Sequence, residues 1–225
     1  MSLKYQEIYT IIEEINKRLS KSFSYLYLRN EIHILIKNED NVNLINKYYL
    51  AFYSTIKESL RVNSILEISK IFDKNSWIRF DKLINLLKQY NKSLTWESFK
   101  KVNKDKIFVD ELKDRYQKIN NEDIEKYKKI LHNHEWIIND IKSYRDEYIA
   151  HDDLNKKTYN FTTKELEDLL KWIEEITNKI SRKIDFSSTN RDYFKNKPWS
   201  QLNDIFNILT KHEIKRLEKI KNKAN

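Results

Sequence analysis

Not one glycine occurs in the 225 residues, and the single proline is Pro198. Glycine is the residue that enters left-handed backbone at no steric cost. Without it, tight hairpin turns lose their favoured residue. With one proline, nothing forces a helix to break anywhere before residue 198. Such a chain is directed towards long helices joined by polar turns. The missing glycine also removes the phosphate-cradling loop, the dinucleotide fingerprint and the glycine-flanked nucleophile elbow. Cysteine is absent too, which excludes disulfides, thiolate metal sites and thiol nucleophiles.

Apolar residues recur at steps of three and four along nearly the whole chain, as amphipathic helices require. Ile8, Ile12, Ile15 and Leu19 open a first helix, which the apolar stretch from Phe23 to Ile36 extends. Residues 38–43, NEDNVN, read as a turn. Ile45, Tyr49, Phe52, Ile56 and Leu60 begin a second long helix that ends near Phe72. DKNSW (73–77) breaks the pattern, a short helix follows around Leu83 to Leu87, and then comes a polar stretch with Trp96 and Phe99. The most regular run starts after NNED (120–123), a capping cluster with acids at the positive end of the helix dipole. Ile124, Tyr127, Leu131, His134, Ile138, Ile141, Arg145 and Tyr148 then alternate steps of three and four. Thr162 opens a later helix, with Glu165 completing a capping box. Leu166, Leu169, Ile173, Ile176 and Ile180 form its stripe. Residues 187–199 read as a loop. A last helix carries Leu202, Ile205, Phe206, Leu209 and Leu217 before a basic tail expected to fray. The expected fold is one all-α bundle of about five to eight helices.

The formal net charge is +9. A basic excess suits a polyanion, nucleic acid or an anionic surface. Lysine, isoleucine and asparagine are all abundant, however, and AT-rich codons supply all three, so part of the basicity has a compositional source. No apolar run approaches the ~20 residues of a membrane span, and MSLKYQEIYT is no signal peptide. The expectation is a soluble cytoplasmic protein without a membrane partner.

Two residues stand out in YRDEYIAHDD (144–153). Arginine is rarely buried without a partner, yet Arg145 falls on an apolar stripe. His151 follows six positions later, where the polar segment from Asp152 to Phe161 begins. On one straight helix the two would lie ~9 Å apart along the axis and roughly 120° apart around it, so their side chains would not converge. Either the helix ends near Ala150, or a second copy of the chain completes the site. A twofold dimer through the stripe from Ile138 to Tyr148 would gather two arginines and two histidines around one axis. The chemistry suits RNA. Histidine moves protons near neutral pH. Arginine offers a fixed fork of donors to phosphate. Together they can assist attack of the ribose 2′-OH on the adjacent phosphate, a reaction DNA cannot undergo. The plain alternative is that Arg145 pairs with an acid and His151 decorates a helix C-terminus, where its charge is favoured.

Arg145, followed by polar Asp146 and then by His151 at the helix exit, resembles the R-x(4–6)-H motif of the HEPN superfamily of helical, RNA-cleaving domains. YRDEYIAHDDL (144–154) is similar to the arginine-to-histidine segment of its AbiU-type abortive-infection branch. ILEISKIFDKNS (65–76), with its Phe-Asp pair at a helix end, and FDKLINLL (80–87) resemble that branch as well. The resemblance implies an all-α homodimer with the motif at the interface, acting as a metal-independent endoribonuclease against phage. It implies catalytic roles for Arg145 and His151, with Asp146 as the polar residue after the arginine, and requires no cofactor or metal. The HEPN-like domain is expected over residues 1–185, with residues 186–225 a loop and C-terminal helix packed on it or extending it. Tyr144 and Tyr148 flank Arg145 and could wall a nucleotide pocket. Asp152 and Asp153 beside His151 raise its pKa and repel phosphate unless cations such as Lys156 and Lys157 offset them. RNA is the expected partner, with an antitoxin or regulator protein as a further one. The alternative function is a non-catalytic helical dimer that binds a protein or a nucleotide.

Other constellations read as structural. His132 and His134 in HNHEW (132–136) are two apart on a helix, about 200° round, and cannot share a metal. They and Glu135 are expected at the surface and in packing. Acids between residues 110 and 125 are interleaved with lysines, as on a solvated face. Trp77, Trp96, Trp136, Trp172 and Trp199 are expected in core or interface more than stacked on bases.

Overall fold

The computed structural model describes residues 3–36, 49–104, 109–146, 161–184 and 193–224, and among these every regular element is helical. The helices are α1 (Leu3–Leu35), α2 (Leu50–Phe72), α3 (Phe80–Tyr90), α4 (Trp96–Val102), α5 (Asn121–Asn133), α6 (Glu135–Tyr144), α7 (Thr163–Ile184) and α8 (Tyr193–Ala224). Short 3-10 helices lie at Asn91–Ser93 and Val109–Arg115. The chain divides into two compact units, residues 1–22 with 65–189 and residues 23–64 with 190–225.

In the first unit the expected stripes are the core. Ile8, Ile12, Ile15 and Leu19 of α1, and Leu166, Leu169, Ile173, Ile176 and Ile180 of α7, are all buried. Ile65, Ile68 and Ile71 of α2 and Leu83, Ile84 and Leu87 of α3 join them. Burying a side chain of this size contributes about 1.5–3 kcal/mol. The helix ends are secured as the sequence predicts. Asn120 accepts from the Asp123 amide at 2.7 Å while Asp123 accepts from the Asn120 amide at 3.3 Å. Glu165 accepts from the Thr162 amide at 2.6 Å, and Thr162 accepts from the Glu165 amide at 3.2 Å. At the other end of α7 the Ile184 carbonyl accepts from the Tyr5 hydroxyl and the Asn103 amide, satisfying a group that the helix leaves orphaned. In the second unit Ile32, Leu35 and Tyr53 form a smaller cluster, flanked by Leu28, Tyr49, Ile56 and Leu60.

Several expectations are corrected. The run from Ile124 to Tyr144 is two helices, because the backbone leaves helical geometry at His134 (φ −103°, ψ 9°). The stripe passes through the break because His134 still faces inward. Its Nδ1 lies 2.8 Å from the Ile130 carbonyl and its ring stacks on Trp172. The polar stretch after Tyr90 holds a helix of its own, α4. Thr95 caps it, and Trp96, Phe99 and Tyr116 pack around it as an aromatic cluster. Residues 193–199 are helical, not a loop, and the basic tail stays helical to Ala224. Pro198 is the sixth residue of α8, where the missing N–H removes one backbone bond, to the carbonyl of residue 194. The expected turn at 38–43 and the start of α2 at Ile45 lie outside the described residues.

Candidate active site

Asp73 follows the last residue of α2, and the fold uses both of its carboxylate oxygens. Oδ1 accepts from the Asn75 amide at 2.9 Å, which turns the chain out of the helix. Oδ2 accepts from Nη1 of Arg145 at 2.7 Å. The preceding Phe72 is buried and meets Phe80 edge-on. The Phe-Asp pair thus divides its work: the ring anchors the end of α2 and the acid reaches the arginine 72 positions away. The Asn75 amide, and then the Arg145 charge working against burial, hold Asp73 below the usual carboxylate range.

Arg145 caps α6, and with Asp146 it continues the chain in π-helical geometry, a turn type that recurs at functional sites. Its Nε donates to Asp146 Oδ1 at 2.6 Å. The guanidinium is therefore clamped between two carboxylates through two different nitrogens of its fork. The hydrogen bond to Asp146 and the two acidic charges hold it firmly cationic. Among the described residues Nη2 has no partner, and the side chain is 23% exposed. A clamped arginine with one face of its fork open is fixed in aim yet can still donate to a phosphate oxygen. The plain alternative, an arginine paired with an acid, also holds here. The pairing orients the group and leaves part of it unsatisfied.

Tyr144 is 3% exposed and meets the Phe161 ring edge-on, so a base could reach it only if that packing opened. His151, Tyr148, Lys156 and Lys157, with Asp152 and Asp153, lie outside the described residues. The stripe expected to meet a second copy is corrected for its described part. Ile138, Ile141 and Tyr144 are buried in the chain's own core, because the same apolar periodicity serves an intrachain and an interchain face equally well. On α6 the exposed large side chain is Trp136.

The sequence signalled Asp73 only through the Phe-Asp motif, and it gave no sign of a cavity of about 400 Å³ beside the clamp. Phe72, Leu131 and Ile138 line one part of it and Lys74, Lys142 and Asn139 another. Lys142 lies one turn before Arg145 on the same helix face. Lys74 is the neighbour of Asp73. Burial, and then the charges of Lys74 and Arg145, hold Lys142 below the ordinary lysine range.

The remaining sites behave as packing. His132 is exposed and pairs with Glu135 at 3.1 Å. Trp172 is packed between His134 and Phe80, and Trp96 on Phe99, whereas Trp77 and Trp136 are about half exposed. Among the described residues no helix is long and apolar enough to cross a membrane.

No curated protein and no solved structure matches the chain. The profile of the HEPN AbiU2 family, described as AbiU2, matches residues 8–205. That span runs past residue 185 and into the first part of α8. It takes in both the Phe-Asp helix end and the arginine that the fold joins to it, and on that match the chain belongs to the AbiU2 family of the HEPN superfamily.

Proposed function

We propose that the protein is an endoribonuclease of abortive infection, acting in phage defence and cleaving RNA without a metal ion. The observation that carries the reading is the clamp on Arg145: two carboxylates aim a permanently charged fork, one of whose nitrogens has no partner among the described residues. In the reaction the ribose 2′-oxygen bonds to the adjacent phosphorus and the bond to the 5′-oxygen breaks. His151, from the same chain or from a second copy, takes the 2′-OH proton and a proton is returned to the leaving 5′-oxygen. Arg145 stabilises the charge that builds on the non-bridging oxygens. The products are a 2′,3′-cyclic phosphate and a 5′-hydroxyl. Tyr148, Lys156 and Lys157 are proposed to contact the strand, and Tyr144 to do so if its packing on Phe161 opens. The domain that does this is proposed to be residues 1–185, working as a homodimer and restrained by an antitoxin or regulator.

The test is a single-turnover assay with structured and unstructured RNA, comparing wild type with His151→Ala. The variant should bind RNA as wild type does and leave it whole. Cleavage by His151→Ala at the wild-type rate would refute the assignment. A second reading, a non-catalytic dimer that binds a protein or nucleotide, is favoured by one observation: Asp73 and Asp146 already neutralise the arginine that RNA phosphate would need. A wild-type protein that binds RNA and never cuts it would bring that reading forward.

A further inference from the structure

The cavity beside the clamp has an unusual balance of charge. Two acids line it: Asp81 lies 3.3 Å from Arg79, and Glu135 lies 3.1 Å from His132, an ion-pair partner only when the imidazole is protonated. Lys128, another lining residue, is 3.7 Å from Glu125. Among the described residues Lys74 and Lys142 have no carboxylate within ion-pair distance, although Lys142 is partly buried. Burial and the Lys74 charge disfavour the charged form of Lys142, and the charges of Asp81 and Asp73 offset them only in part, so an anion reaching both lysines is stabilised. The apolar wall of Phe72, Leu131 and Ile138 faces the same space, and the Asn139 side chain adds a paired donor and acceptor. The volume of about 400 Å³ falls in the roughly 300–1,000 Å³ range of pockets that hold a small ligand. A flat apolar group bearing an anion and amide-like edges fits all three surfaces. A nucleotide is such a group.

We propose that this cavity is a subsite for one nucleotide of a single-stranded RNA, its phosphate held by Lys74 and Lys142 and its base lying on Phe72, Leu131 and Ile138. The assignment rests on the ribonuclease reading and names where the strand beside the scissile phosphate lies. Lys142 shares a helix face with Arg145, and Lys74 follows the residue that clamps it. A strand seated in the cavity is thereby within one helical turn of the arginine along α6.

The probe is a 2′-O-methyl hexaribonucleotide of mixed sequence, which cannot be cleaved, with free nucleoside monophosphates as a second arm. The variant pair is Lys74→Ala with Lys142→Met, the methionine keeping the packed stem of the lysine. A charge-matched control, Lys101→Ala with Lys118→Ala, removes two exposed lysines that do not line the cavity. Circular dichroism checks that each variant is folded. The expected result is hexamer binding weakened at least about tenfold in the cavity pair and less than about twofold in the control, since two phosphate contacts are lost only in the former. Equal binding by both pairs overturns the subsite, as does a wild type that does not bind the hexamer. Loss confined to the monophosphates, with the hexamer unaffected, also overturns it, because the cavity would then serve a free nucleotide. Cleavage of natural RNA separates the two proposals. If wild type never cuts but the cavity pair loses the hexamer, the subsite stands and the ribonuclease reading falls. If the cavity pair cuts with unchanged KM, the reverse holds.

Discussion

Two charged clusters lie at the α2 end of the same helical unit and have opposite construction. At Glu67, one buried carboxylate is shared by two cations, with Arg18 at 2.9 Å on one oxygen and Lys70 at 2.8 Å on the other. At Arg145, one cation is shared by two carboxylates, and among the described residues the third nitrogen of its fork has no partner. The first cluster is closed: its carboxylate has an ion-pair partner on each oxygen, and it ties α1 to α2. Burial opposes the charge on Glu67, but the hydrogen bonds from Lys70 and Arg18 prevail and keep its pKa below the usual range. The second cluster lies beside a cavity lined by Lys74, Lys128 and Lys142. Closed pairs hold a fold together, and an aimed but unsatisfied cation has something left to offer a ligand.

Separating the two by mutation gives the largest expected effect. Arg145→Ala should lower RNA cleavage by at least about a thousandfold, since a positioned charge stabiliser is lost, while the denaturant midpoint changes little. Glu67→Ala should do the opposite. It strands Arg18 and Lys70 and should cost on the order of 3 kcal/mol in urea unfolding, with activity per folded molecule kept. Similar losses of both quantities in both variants would erase the distinction. Asp73→Asn is intermediate. It retains a hydrogen-bond acceptor but loses the charge that aims Arg145, and a fall in kcat of about tenfold with KM nearly unchanged is expected. Asp146→Asn should be milder, because Asp146 is the more exposed partner and Asp73 still holds Nη1.

Acid gives the smallest effect. Glu67, Asp73 and Asp123 all have pKa values below the ordinary range in the folded chain. Groups lowered on folding contribute stability above their unfolded pKa, about 4. They lose it as pH falls through the lower folded values. The melting temperature should therefore be level from pH 7 to about 5 and decline below about 4. In Glu67→Gln the decline should be shallower. An identical decline in that variant would place the acid sensitivity elsewhere.

The all-α fold was legible because apolar spacing reports burial directly. Leu166, Leu169, Ile173, Ile176 and Ile180 of α7 and Ile8, Ile12, Ile15 and Leu19 of α1 are all in the core. Periodicity also misled in a specific way. It carried one stripe across His134, since a single non-helical residue with an inward ring does not disturb the register. It also could not say whether Ile138, Ile141 and Tyr144 face their own core or another copy. The helix α4 was hidden because its core contacts are aromatic and come from Trp96, Phe99 and the distant Tyr116. At the site, Arg145 and Asp146 were legible from local pattern. The Phe-Asp pair marked Asp73 but not its pairing with Arg145, because 72 positions separate the two and no local rule links them. The lysine-lined cavity had no signal at all: Lys74 and Lys142 are two lysines among many until α2 and α6 bring them together.

The most direct test of the central claim is end-group analysis of RNA incubated with the pure protein in excess EDTA. Fragments ending in 2′,3′-cyclic phosphate and beginning with 5′-hydroxyl are expected, in undiminished yield with the chelator and absent with Arg145→Ala. Fragments carrying 5′-phosphate, or cleavage that EDTA abolishes, would contradict that claim.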